Sequence, residues 1–130
     1  ALGNHSFRVV AYDTANQSDE VSITVKYWPI FPPVNFVGEK KMNRTIFFVN
    51  YYNNLKWEQN SKNTDNANIN ITNYRIYQMV NGVRTLVTTV SADVFEYNHE
   101  KVEKDTEYTY LITSIDAEGN ESSGVQVAVK

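Results

Sequence analysis

The chain has 130 residues, 42% apolar and 21% charged, with a formal net charge of −3, no cysteine and two histidines. That size suits one domain with a fragment of a second; the charge excludes a basic field for nucleic acid, and the missing thiols exclude disulfides and cysteine-ligated zinc. With 16 Val, 8 Ile, 11 Thr and 17 aromatic residues against 4 Leu, 7 Ala and 2 Met, side chains bulky near the backbone dominate, which excludes a helical bundle.

Residues 5–12 place Phe7, Val9 and Ala11 at period two, and Val21, Ile23 and Val25 alternate with Ser22, Thr24 and Lys26. Between them runs a polar turn, Asp13–Glu20, in which Asn16 is expected at positive φ. This predicts a β-hairpin with one apolar face. The stretch Tyr27–Pro33 follows, with Pro29, Pro32 and Pro33 removing backbone donors, so residues 28–33 read as a stiff, extended linker. Its apolar members Trp28, Ile30 and Phe31 are expected to pack on something.

Val34–Val37 reads as a short strand, Gly38–Asn43 as a solvated loop carrying Glu39, Lys40 and Lys41, and Thr45–Val49 as a second apolar run. Leu55 and Trp57 alternate with Asn54, Lys56 and Glu58. The Asn-rich stretch from Asn60 to Asn70 reads as a long loop, not a helix. Tyr74 and Ile76 alternate with Arg75 and Tyr77, and Asn81-Gly82 before Val83–Val90 is a strong hairpin signal, because both turn residues need positive φ. Phe95 and Tyr97 predict a short strand, and Glu100–Asp105 a charged turn. Tyr108, Tyr110 and Ile112 alternate into the turn Asp116–Ser122, and Val125, Val127 and Val129 alternate back.

Strands at such spacing, without a helical period, predict an all-β sandwich of two antiparallel sheets. A shift of 103 residues lays His5, Phe7, Val9, Ala11 and Asp13 on Tyr108, Tyr110, Ile112, Ser114 and Asp116. Residues 1–27 therefore read as the C-terminal hairpin of a similar preceding module, and the abrupt start as a segment of a longer protein.

Residues 33–130 resemble a fibronectin type III domain of the kind common in bacterial secreted and surface proteins. The resemblance rests on Pro32-Pro33, Leu55–Trp57, Tyr74–Tyr77, Phe95–Asn98, Val102, Tyr108–Tyr110 and Ile115–Ser122. It implies an immunoglobulin-like β-sandwich over 34–130 and a tyrosine corner, in which the Tyr108 hydroxyl bonds nearby backbone. Residues 1–27 resemble the end of either an immunoglobulin-like or a fibronectin-like module. Trp57, Tyr74, Ile76, Tyr97, Tyr108, Tyr110 and Ile112 are the expected core, since a sandwich without a disulfide needs large side chains between its sheets.

No catalytic constellation is legible. His5 and His99 stand apart, Ser91, Asp93 and His99 are not expected to converge, and Asp65, Asp116 and Glu118 lack calcium-loop spacing. Five Asn-x-Ser/Thr triplets, at Asn4, Asn16, Asn43, Asn70 and Asn120, barely exceed the roughly two or three expected by chance, so an Asn-rich surface is the plainer reading. No cofactor, metal site or membrane span is expected. Tyr51 and Tyr52 among amides, with Asn60 and Asn63, are the candidate ligand surface, and Tyr12 and Tyr77 fall on the outward phase of their strands. The apolar face of residues 5–25 needs a cover, with three outcomes open: the sandwich covers it, a second chain covers it, or it stays disordered. The expectation is an ordered hairpin packed on another β surface, a second copy of the chain being one candidate.

The functional expectation is a non-catalytic extracellular module, acting as spacer or protein-interaction surface within a bacterial secreted or cell-surface protein. Its partners would be neighbouring domains, another protein or a glycan. The alternative is an accessory, carbohydrate-binding module of a secreted glycoside hydrolase or peptidase.

Overall fold

Alternation of apolar with polar side chains along residues 34–129 produces strands with a face to bury, and two such layers close on each other. The computed structural model describes residues 3–12, 18–27 and 29–130, the first two ranges as backbone. Strands β1 (Gly3–Tyr12) and β2 (Ser18–Tyr27) pair antiparallel as their own two-stranded sheet, with Phe7 opposite Ile23 and Val9 opposite Val21 in register. The turn at Asn16, the apolar face assigned to residues 5–25, the outward Tyr12 and the packing of Trp28 all lie outside the described residues.

The sandwich is built from β3 (Val34–Arg44), β4 (Val49–Glu58), β5 (Ile71–Val80), β6 (Val83–Ser91), β7 (Glu96–Val102), β8 (Tyr108–Asp116) and β9 (Val125–Val129). One sheet has the order β3-β4-β7 and the other β6-β5-β8-β9, with antiparallel neighbours throughout. Leu55, Trp57, Tyr74, Ile76, Tyr110, Ile112 and Val129 are buried between the sheets with Phe36, while Tyr97 and Tyr108 pack half-buried at the margin. Trp57 meets Tyr74 edge-on at 6.0 Å, and burying each such ring contributes about 2–3 kcal/mol. Asn81 (φ 51) and Gly82 (φ 77) form the expected tight turn between β5 and β6. At Gly38, β3 passes so close to β9 that an added Cβ would run into the Val129 side chain.

Four expectations are corrected. Gly38–Asn43 is no loop: it lies within the eleven-residue β3, which pairs with β4 as far as Arg44 opposite Val49. The run Thr45–Val49 is not a core strand. Its first four residues are the turn of that hairpin, because three consecutive apolar side chains cannot all face one side of a strand. Asn60–Asn70 contains a single helical turn, α1 (Ser61–Thr64), started by the Asn60 side chain accepting from Lys62 N. Finally, β7 continues through Glu100 to Val102, with Lys101 (φ 59) in a bulge opposite Tyr51 and Tyr52, so the charged turn begins only at Glu103.

That turn is held from two sides. Tyr108 Oη accepts from Glu103 N at 2.8 Å, the tyrosine corner implied by the resemblance. Lys40 Nζ donates to the carbonyls of Glu103, Lys104 and Thr106 and lies 5.2 Å from the Tyr108 ring centroid. A lysine expected in solvent is thus the strap that ties β3 to the β7–β8 turn.

Candidate interaction surfaces at the two ends of the sandwich

Strand β4 leads from the β3–β4 turn at one end to α1 at the other, and the candidate ligand residues divide along it. Tyr51 and Tyr52 lie half-buried near its start, opposite Met42 and Lys41 on β3. Asn60 and Asn63 lie beyond its finish. The six residue-to-residue steps from Tyr52 to Glu58 alone span roughly 20 Å of extended chain. One small-ligand site does not join the two pairs.

Asn63 is buried, and both ends of its amide are engaged: its Oδ1 accepts from Phe31 N and its Nδ2 donates to Phe31 O, each at 2.8 Å. The side chain thereby imitates one rung of a β ladder against the proline-rich linker. Asn60 Nδ2 donates to Pro32 O at 3.0 Å, and Lys62 Nζ sits 5.2 Å above the Phe31 ring. Three residues in and beside α1 therefore fasten residues 31–32 to the sandwich. Proline makes this economical, since Pro32 and Pro33 have no N–H to satisfy.

At the opposite end the β3–β4 turn closes on itself: Thr45 N donates to Phe48 O at 2.8 Å and Phe48 N to Thr45 Oγ1 at 3.0 Å. Ile46, Phe47 and Phe48 are 92, 84 and 66% exposed. Sequence reasoning missed this surface, although the unbroken apolar run from Ile46 to Val49 carried the signal.

Two polar clusters elsewhere are paired within themselves. Tyr77 stands on the outer face as expected from its phase, yet it is buried there. The Arg84 guanidinium lies 4.6 Å from its ring centroid, and its hydroxyl donates to Glu121 Oε2 at 2.6 Å. Glu121 also accepts from Thr113 Oγ1 and lies 3.8 Å from Arg75 and 3.5 Å from Arg84. Burial pushes the Glu121 carboxyl up, but the two hydroxyl donors and two guanidinium charges outweigh it and hold it below the usual carboxylate range.

His99 belongs to β7 rather than to a strand end, and its Nδ1 lies 2.6 Å from Tyr110 Oη, which also receives Asn53 Nδ2 at 2.7 Å. In the His99–Tyr110 contact the imidazole tautomer sets which partner donates. Burial lowers the His99 pKa and raises that of Tyr110 to about 12. Ser91 ends β6 in the other sheet, opposite Asn73, so it makes no pair with this histidine. Asp116 accepts from Glu118 N and from the backbone and side chain of Asn120, which caps its own turn. Among the described residues, no group of three or more His, Cys, Asp or Glu side chains is placed to hold a metal ion.

The strand order now decides the architecture. A sheet of β3-β4-β7 facing one of β6-β5-β8-β9, with a tyrosine corner before β8, matches known structures of one kind. A solved structure described as "Structure of FN3tt mut" superposes with a TM-score of 0.54 at 16% identity, covering 77% of this chain and 97% of its own. A second, described as "Myokine structure", gives 0.54 at 22% identity, covering 78% and 96%. This is a fibronectin type III fold. No family model matches the chain, and no curated protein matches it. In this fibronectin type III sandwich, both candidate surfaces lie at the margins of the core: the tip of the β3–β4 hairpin and the Asn-rich segment after β4.

Proposed function

We propose that the chain is a non-catalytic fibronectin type III module that serves as a rigid spacer and protein-interaction unit in a multidomain extracellular protein of a bacterial secreted or surface type. One observation carries the reading: the Asn63–Phe31 pair of hydrogen bonds, reinforced by Asn60 to Pro32, anchors the linker to the sandwich. A linker fastened through its backbone transmits orientation, whereas a free one only sets a distance. On this reading residues 1–27 belong to the end of a preceding module, which the anchored linker orients. An accessory role beside a secreted hydrolase uses the same anchor to orient a catalytic neighbour.

Backbone 15N relaxation on the whole chain tests this. Order parameters for residues 30 and 31 should match the sandwich, about 0.85, and should fall toward 0.6 or below in Asn63→Ala. Wild-type values already below about 0.6 would remove the spacer reading.

A further inference from the structure

Past the last rung shared with β7, Tyr51 opposite Val102, strands β3 and β4 continue as a two-stranded ribbon through Arg44 opposite Val49. From Tyr51 to Phe47 that ribbon extends roughly 13 Å at about 3.3 Å per residue. Its end is a convex apolar knob: Ile46, Phe47 and Phe48 project from a turn closed by its own hydrogen bonds, with Met42 and Val49 also exposed beneath them. A protein partner would have to supply a matching hollow for such a knob. A bilayer accepts it without one.

Charge points the same way. In a chain of net charge −3, no Asp or Glu occurs between Glu39 and Glu58, while Lys40, Lys41, Arg44 and Lys56 do. Lys40 is engaged with the β7–β8 turn, which leaves Arg44 just below the knob and Lys41 further down as its collar. Tyr51 and Tyr52 sit at the same level as Lys41. Descending from the tip, the order is apolar residues, then Arg44 with Asn43 and Asn50, then Lys41 with two tyrosines. At a membrane surface hydrocarbon gives way to a headgroup layer that holds phosphates and amphipathic aromatic rings together, which suits an apolar tip above a cationic and tyrosine-bearing collar. On the neighbouring strand Glu100 stands opposite Tyr52, level with Lys41 and beside Lys101, and the acidic β7–β8 turn follows Val102. Arg44, opposite Val49, lies past that last rung and is the cation nearest the tip.

We infer that the β3–β4 hairpin tip docks this module onto an anionic lipid bilayer, inserting Ile46, Phe47 and Phe48 while Arg44 and Lys41 meet the phosphates. The inference is independent of the spacer reading, because the linker is fastened at the other end.

Cosedimentation of the full chain with vesicles of phosphatidylcholine and phosphatidylserine (7:3) tests it, with pure phosphatidylcholine as comparison. Binding should be stronger to the anionic vesicles and fall as salt rises. Phe47→Asp combined with Phe48→Asp should reduce it about tenfold or more. Arg44→Gln and Lys41→Gln should each reduce it about fivefold and flatten the salt dependence. Phe47→Trp should show a blue-shifted emission component on anionic vesicles that the parent chain lacks. Failure to sediment with either vesicle, or binding untouched by the paired aspartates, overturns the inference. So does a dimer in light scattering that the aspartates abolish without any vesicle binding, which would assign the knob to a protein contact.

Discussion

The two ends of β4 treat polarity in opposite ways. At the α1 end a polar side chain, Asn63, is only 3% exposed, while at the hairpin end Phe47 is 84% exposed. The inversion has a physical cause at each end. Asn63 is tolerated inside because its amide replaces the rung that the linker backbone would otherwise lack. Phe47 stands outside because the ribbon has outrun β7 and its turn has no second layer to face. Burial in this sandwich follows what each backbone position needs, and hydropathy alone misassigns both ends.

The strongest way to disturb the comparison is to remove what lies between the ends. Trp57→Ala should cost about 3–5 kcal/mol in chemical denaturation, because the cavity would open beneath Tyr74 and beside Leu55. Trp57→Phe should cost much less, on the order of 1 kcal/mol, since the buried indole Nε1 has no hydrogen-bond partner to lose. Equal losses for the two variants would show that the indole nitrogen does more than the geometry allows.

Asn63→Ala should come next, at about 1–3 kcal/mol, because it strands the N–H and C=O of Phe31 as well as deleting two bonds. Hydrogen exchange at the Phe31 amide should accelerate far more than exchange at Leu55, which stays in the ladder between β3 and β7. If both amides accelerate equally, the linker is part of the cooperative core and the distinction between anchor and sandwich fails.

How much of this was legible in the sequence follows the same division. The core was, because Trp57, Tyr74, Ile76, Tyr110 and Ile112 sit at period two on the inward faces of their strands. The β5–β6 turn was, because Asn81-Gly82 carries its own conformational demand. The reach of β3 was not: Glu39, Lys40 and Lys41 look solvated until β4 is laid beside them, and the Lys40 strap depends on carbonyls 63 to 66 residues away. Asn60 and Asn63 were noticed as amides but not as structural ones, since their partners lie 28 and 32 residues earlier. The Glu121 cluster draws on Arg75, Tyr77, Arg84 and Thr113 from three strands, a convergence that spacing along the chain does not reveal.

A smaller effect separates the polar interior from both ends. Burial holds the His99 pKa below its ordinary 6.5, so between that value and the lower folded one the unfolded chain binds more protons. Stability from this group is therefore complete above about pH 6.5 and is lost as pH falls through the folded value. Thermal melting should show the midpoint declining from pH 7.5 to 5.5, and His99→Gln should flatten that decline, because Gln stays neutral and can still pair with Tyr110. Glu96, lowered chiefly by the Asn54 hydrogen bond, and Glu121 act with the same sign but below about pH 4.5. A midpoint independent of pH between 7.5 and 5.5 in the wild type would contradict the neutral His99 pairing.

The smallest expected change in stability sits at the most apolar surface. Phe47→Ser with Phe48→Ser removes two large rings, which in the core would be ruinous, yet here it should shift unfolding free energy by no more than about 0.5 kcal/mol in either direction. Rings that are 84 and 66% exposed bury little on folding, and the turn's hydrogen bonds run through the backbone and Thr45 rather than through the rings. Thr45→Ala is the sharper comparison: it keeps all three apolar residues but deletes the hydroxyl that receives Phe48 N, and should cost about 0.5–1.5 kcal/mol of local order. A larger loss from the double serine variant than from Thr45→Ala would mean that the knob packs against the chain itself. The hairpin end would then be an extension of the core, and the contrast with the α1 end would disappear.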